Sequence, residues 1–172
     1  MSTNKSNVGP VMAPGGVDTV VTIEQPVALS QYFHTSGSHF FYFNSGYVTG
    51  ALTLTEYLAG WACTPVSIEL TTSIINYWMS NAATPYSRVP CILASVNPGC
   101  VFRVPTTAAG GLSVQARVGE CVDLVGVNDG TAQYVTPGTS TQDILICVGV
   151  DPDGDTNACL VTFNPEEQQQ TT

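Results

Sequence analysis

Between residues 19 and 163 the chain is cut into short runs of β-branched and aromatic residues, most of them bounded by turn-forming residues. Such punctuation leaves little room for long helices and calls for many short strands. Residues 19–23 are β-branched throughout, and residues 27–33 are apolar with Ser30 and Gln31 interspersed. Residues 39–44 are aromatic and lie between two Ser-Gly pairs. Residues 64–72 alternate, placing Val66, Ile68 and Leu70 on one face and Ser67 and Glu69 on the other. Residues 89–96 form an apolar run ended by Asn97-Pro98-Gly99. Residues 112–118 alternate again, and 121–127 lead into Asn128-Asp129-Gly130. The runs at 144–150 and 158–163 form a hairpin with an acidic tip. Only 52–58 reads as helix, with Thr53 or Thr55 near its start. Residues 73–79 (SIINYWM) read either as a second short helix or as a loop carrying aromatic contact residues.

Eight or nine short strands with almost no helix predict an all-β sandwich or barrel. The expected form is an eight-stranded antiparallel jelly roll with one or two short helices in its loops. An immunoglobulin-like sandwich is the alternative, but both Trp61 and Trp78 precede most of the cysteines, against the Cys–Trp–Cys order of that fold. Residues 1–18, with Pro10, Pro14 and Gly15-Gly16, read as a flexible arm. Residues 19–164 form the folded domain, and 165–172 a frayed polar tail.

Charge narrows the function. Only 10% of the 172 residues are charged, against about 25% in an ordinary soluble domain. A surface so poor in charge suits contact with identical neighbours, because interface cores are depleted of charge. The net charge is −9, and the basic residues Lys5, Arg88, Arg103 and Arg117 are scattered. Binding to nucleic acid relies on several Lys or Arg side chains neutralising phosphates. The absence of a basic stripe argues against tight direct binding to RNA or DNA by one subunit.

The six cysteines, at 63, 91, 100, 121, 147 and 159, lie mostly in apolar strand-like runs. The first residues lack the apolar stretch of a secretion signal. The cysteines therefore read as reduced core residues of a protein made in a cytoplasm, with disulfides as the alternative. No C-x-x-C or Cys/His spacing marks a zinc site, and no apolar run reaches the roughly 18 residues of a membrane span. Asp151-Pro152-Asp153-Gly154-Asp155 resembles the opening of a calcium loop, but the twelfth position is Thr162, inside a strand. A looser calcium site or an exposed hairpin tip remain as readings. His34 and His39 could serve a hydrolase, yet no G-x-S-x-G signature accompanies them. They also read as ordinary histidines, or as pH-sensitive groups on an internal surface. Phe40-Phe41-Tyr42-Phe43 could stack bases, although alternate members are expected in the core and the others against a neighbouring subunit.

At Thr22-Ile23-Glu24-Gln25-Pro26 the chain resembles the start of the shell domain of tymovirus coat proteins, where a Thr-Ile-x-Gln-Pro segment follows a Pro-rich arm. Residues 53–70 (TLTEYLAGWACTPVSIEL) are similar to that family's short helix and following strand, and residues 89–99 (VPCILASVNPG) to a strand ending in a Pro-containing turn. Residues 143–147 and 159–163 are similar to its last two strands. The similarity is collinear over most of 19–164. It implies a jelly-roll coat subunit that assembles with itself into an icosahedral shell around single-stranded RNA. On that reading the protein is no enzyme and carries no resident cofactor, metal or membrane contact. It is made in the host cytoplasm and ends in the virion, and packaged polyamines or divalent cations neutralise RNA that it touches only weakly. Tyr77, Trp78 and Tyr86, expected in a loop between strands, are the candidate subunit-interface residues, since Tyr and Trp are favoured at interface hot spots. The rival reading is a receptor- or carbohydrate-binding β-sandwich on a virion or cell surface, because jelly rolls also serve as lectins.

Overall fold

The computed structural model describes residues 9–12, 20–28, 32–34, 39–50, 57–63, 77–79, 88–106, 114–125, 133–137, 143–151 and 157–167. These form thirteen strands: β1 (Gly9–Met12), β2 (Thr22–Pro26), β3 (Tyr32–His34), β4 (Phe40–Asn44), β5 (Tyr47–Thr49), β6 (Gly60–Ala62), β7 (Tyr77–Met79), β8 (Arg88–Leu93), β9 (Val101–Pro105), β10 (Cys121–Val125), β11 (Tyr134–Pro137), β12 (Leu145–Val150) and β13 (Ala158–Phe163). The helical content among the described residues is two single 3-10 turns, Val114–Arg117 and Pro165–Glu167.

The strands build two larger antiparallel sheets and one ribbon. The six-stranded sheet has the order β1-β9-β13-β12-β10-β11, and the five-stranded sheet β2-β8-β6-β4-β5. Among the described residues β3 and β7 pair only with each other. The all-β expectation holds, while the number of strands exceeds the eight expected.

The two sheets share a core. From the six-stranded sheet, Phe102, Val104, Val122, Leu124, Leu145, Cys147, Cys159, Val161 and Phe163 point inward. Phe40, Leu58, Trp61 and Ile92 meet them from the other side. A second cluster, Val27, Phe41, Val48, Ala59, Ala62, Val89, Cys91 and Leu93, also draws on the five-stranded sheet. In β8 the pair Ile92 and Cys91 falls in different clusters, so that strand buries both faces. This explains why residues 89–96 read as a continuous apolar run and not as alternation. β13 is buried on one face only, and Leu160 and Thr162, half-buried, alternate with its core residues.

The five-stranded sheet brings its two edges together, and in the six-stranded sheet one edge meets the end of a neighbouring inner strand. A parallel bridge from Val27 to Val48 links the chain just after β2 to β5, and the Ala28 N–H donates to the Val48 carbonyl at 3.0 Å. A second parallel bridge, Thr106 to Val135, joins the end of β9 to edge strand β11. Contact between edges satisfies backbone groups that an open sheet would leave bare.

Several local expectations change. Residues 9–12, expected in the flexible arm, form β1 and pair with β9, and Pro10 is tolerated there because β1 is an edge. The 19–23 strand runs instead from Thr22 to Pro26. Residues 27–33 are not one strand: Val27 makes an isolated bridge, and Tyr32–His34 belong to the ribbon. The alternation at 112–118 ends in a 3-10 turn, after which Gly119, at φ 92°, donates its N–H to the Cys147 carbonyl. Four residues of alternation fit either form, and only the partner across the sheet decides. In the expected tail, Pro165–Glu167 are ordered into a turn. The expected helix over 52–58 lies mostly outside the described residues, as does the strand over 64–72; Leu58 is a core residue.

Candidate functional site

The three interface candidates fare differently. Tyr77 and Trp78, expected in a loop, lie in β7, where Trp78 pairs with Phe33 and Tyr77 with His34. Tyrosine and tryptophan are favoured in strands, so the strand is chemically natural. Its partner sits far away in sequence, which local reading cannot supply. Tyr86 lies outside the described residues.

The aromatic run of β4 is interior. Phe40 meets Trp61 edge-on at 4.9 Å and Phe163 at 5.9 Å between ring centroids, while Phe102 stacks on Trp61 at 5.1 Å. Phe41 lies in the second cluster, with Phe43 packed against it, and Tyr42 packs against the first. A run committed to two cores offers no platform for stacked bases. His39 is buried too. Its ring stacks on Trp61 at 5.3 Å, and Nδ1 sits 3.1 Å from the Ala62 carbonyl, so Nδ1 carries the proton and donates. It is a core histidine and not a group on an internal surface. The side chain of His34 lies outside the described set.

The acidic hairpin begins differently from an exposed tip. Asp151 is only 4% exposed and accepts two hydrogen bonds from Arg103, Nε to Oδ1 and Nη2 to Oδ2, each at 3.0 Å. This is a two-point guanidinium–carboxylate pair, the geometry that best offsets the desolvation of both charges. Residues 152–156 are outside the described set. Arg117 pairs with Glu120 at 2.9 Å in a more exposed setting. Two of the four basic side chains therefore already engage carboxylates of this chain.

Buried amides make contacts that local sequence does not foreshadow. Gln133 accepts the Phe40 N–H on Oε1 at 3.0 Å and donates from Nε2 to the carbonyls of Phe40 and Gly50 at 3.0 and 2.8 Å. Asn97 treats Val21 similarly: Oδ1 accepts its N–H at 3.1 Å, and Nδ2 donates to its carbonyl at 3.0 Å. Asn164 donates to the Asp143 carbonyl at 2.6 Å and accepts the Glu166 N–H. Asp143 has a left-handed backbone (φ 50°), and its N–H donates to Asp123 Oδ1 at 3.3 Å. Its own Oδ1 is buried and finds no hydrogen-bond partner among the described residues. A polar residue in an apolar neighbourhood is the only signal that could have flagged the amides, and it does not name their partners.

All six cysteines are free; Cys91, Cys100, Cys147 and Cys159 are buried, as expected of core residues, whereas Cys63 and Cys121 are partly exposed. Burial pushes the thiols of Cys63 and Cys100 up to about 11 and raises Cys91 beyond them. Burial also raises Cys121, with the carboxylates of Asp143, Glu166, Asp123 and Glu167 adding to it. Cys147 runs the other way, drawn down to about 7 by a hydrogen bond from Cys159. Among the described residues no group of three or more His, Cys, Asp or Glu side chains is placed to hold a metal ion, and no helix is long and apolar enough to cross a membrane. No family model matches the chain, and no curated protein or solved structure proved similar to it.

Proposed function

We propose that this chain is a structural coat subunit, a β-sandwich that assembles in many copies into an icosahedral shell around single-stranded RNA. The observation that carries the reading is the surface. A chain with only 10% charged residues also exposes β-branched side chains in several elements: Val21 and Ile23 around β2, Val96 in the turn after β8, Val118 before β10, and Val148 in β12. Single exposed apolar residues are ordinary on any protein. Their combination with so few charges favours a molecule that meets several neighbours. The resemblance of 22–26 and the later segments to tymovirus coats points the same way.

The jelly-roll form of the sandwich belongs to this proposal. Jelly-roll strands pass between the two sheets, whereas β12 and β13 form a hairpin within one sheet, so this sandwich would be a variant of that form. Enclosed RNA would be neutralised by polyamines or divalent cations, because Arg103 and Arg117 are already paired within the subunit. Tyr77 and Trp78, on the separate β3–β7 ribbon, stay as the proposed inter-subunit contacts.

The test is the size of the protein expressed alone, by light scattering, with electron microscopy of any large fraction. Uniform spherical shells are the expected result. A strictly monomeric or dimeric protein across pH and ionic conditions would overturn the coat reading in favour of a glycan- or receptor-binding module.

A further inference from the structure

The first strand sits apart from the rest of its sheet. Leaving β1 aside, the order β9-β13-β12-β10-β11 ends on β11, and the parallel bridge from Val135 to Thr106 leads back to β9. That ring of strands is complete without β1. β1 lies along β9 ahead of the bridge, with Gly9 opposite Arg103, Pro10 opposite Phe102 and Met12 opposite Val101. The Thr106 N–H donates at 2.8 Å to the Asn157 carbonyl, on the β13 side. Backbone groups alternate in direction along a strand, so those of Arg103 and Val101 turn toward β1. β1 therefore fills the stretch of β9 edge that β11 leaves uncovered.

What the described residues of β1 contribute is backbone pairing. Gly9 has no side chain, Val11 is exposed, and neither they nor Pro10 belong to a core cluster. The register slips between Pro10 and Met12. Pro10, opposite Phe102, sets its nitrogen on the outer side of β1, where a further strand finds no donor. The accepting strand is firm before β1 arrives, because Asp151 holds Arg103 at two points. Further along the chain, the Asn97 side chain bonds both the N–H and the carbonyl of Val21. Residues 13–20, between Met12 and that anchor, span at most roughly 30 Å.

We propose that in the assembled shell Gly9–Met12 of each copy leaves its own β9 and pairs with β9 of a neighbouring copy. The inference rests on the coat reading and supplies a means of linking the copies. β1 makes the same backbone bonds on either β9, so the exchange gives up none of the described core contacts. In a lone subunit the tether favours its own β9 and covers an edge that would otherwise invite pairing. Among packed copies, a neighbour's β9 stands at an effective concentration comparable with that of the tether. Each exchanged strand then ties one copy to the next, head to tail, and such links close into rings.

The experiment uses the full-length Val11→p-benzoylphenylalanine variant, one batch with ordinary isotopes and one labelled with nitrogen-15. Equal amounts are mixed before assembly, irradiated afterwards with ultraviolet light, and the cross-linked peptides are weighed. In shells, about half of the β1–β9 links should join a light chain to a heavy one, as exchange between equal pools requires. Shells whose links are all light–light or heavy–heavy would overturn the exchange and leave the coat reading standing. Mixed links in dimers or small rings, without shells, would support the exchange and sink the coat reading. A monomer with unmixed links would remove both. A second measurement needs no variant. In the unassembled subunit the amide hydrogens of Val101 and Arg103 should exchange with solvent at least about tenfold faster than those of Phe102 and Val104, which face β13. Equal protection would show that β1 does not leave β9, and would also overturn the proposal.

Discussion

Gln133 pairs with β4 through its side chain, and that arrangement has a measurable energy. One amide matches the N–H and carbonyl of Phe40 and also reaches Gly50. Buried backbone groups left without partners cost about 1–3 kcal/mol each. Gln133→Ala is therefore expected to lower stability by roughly 3 kcal/mol or more, read as a drop in urea midpoint. Gln133→Glu should be worse, since it removes the donor from two carbonyls and adds a buried charge. A midpoint unchanged in both variants would mean that water replaces the amide. The Arg103–Asp151 pair gives a second residue-scale test. Asp151→Leu alone strands a buried guanidinium, and the expected loss is about 3–5 kcal/mol. Arg103→Met together with Asp151→Leu should recover most of it, because the apolar pair owes no desolvation. A double variant as unstable as the single one would show that the charges also hold neighbours in place.

Between elements, β6 and β8 approach closely at Gly60. A Cβ on Gly60 would clash with the Ile92 carbonyl oxygen and fall 3.1 Å from Leu93 Cα, all backbone. No rotamer change relieves a clash with backbone, so β6 would have to leave its register with β8 and β4. Gly60→Ala is expected to cost roughly 3 kcal/mol or more, at the upper end of overpacking effects. Gly149→Ala meets Leu160 Cδ1 at 3.4 Å, the far end of a flexible side chain, and should cost under about 1 kcal/mol. Thermal melts of the two variants compare the sites directly, and equal melting temperatures would remove the special role of Gly60. The β4–β5 hairpin shows the same dependence on backbone shape. Ser45 and Gly46 both take positive φ, as the tight two-residue turn with right-handed strand twist requires.

For the whole molecule, the proposal of a shell rests on weakly charged faces, so assembly should respond more to loss of apolar contacts than to salt. Trp78→Ala is expected to reduce the shell fraction by tenfold or more at a fixed concentration, the effect of about 1.4 kcal/mol or more at a hot spot. Its circular dichroism should match the parent. Sedimentation of the variant decides: full assembly would remove Trp78 from the interface. Stripping polyamines and divalent cations from RNA-filled particles is expected to release or expose the RNA, because the subunit brings −9 rather than positive charge. Particles that keep their RNA protected through that treatment would point to protein groups as the counterions.

The sequence alone determined the all-β class, the hairpin of β12 and β13, the aromatic strand at Phe40–Asn44 and the burial of cysteines inside apolar strands such as Cys91 and Cys147. Each depends on local chemistry: β-branched and aromatic runs, turn residues with permissive φ, and small apolar thiols inside strands. It did not determine that β1 joins a sheet, that Tyr77 and Trp78 form a ribbon with Phe33 and His34, or that Asp151 faces Arg103. Those facts are pairings across long stretches of chain, and a residue's own neighbours carry no record of its partner. The same holds for His39, which local reading left open and only the Trp61 ring and the Ala62 carbonyl identify as core. Tertiary structure decided them because burial, and not propensity, sets which polar group must find which partner.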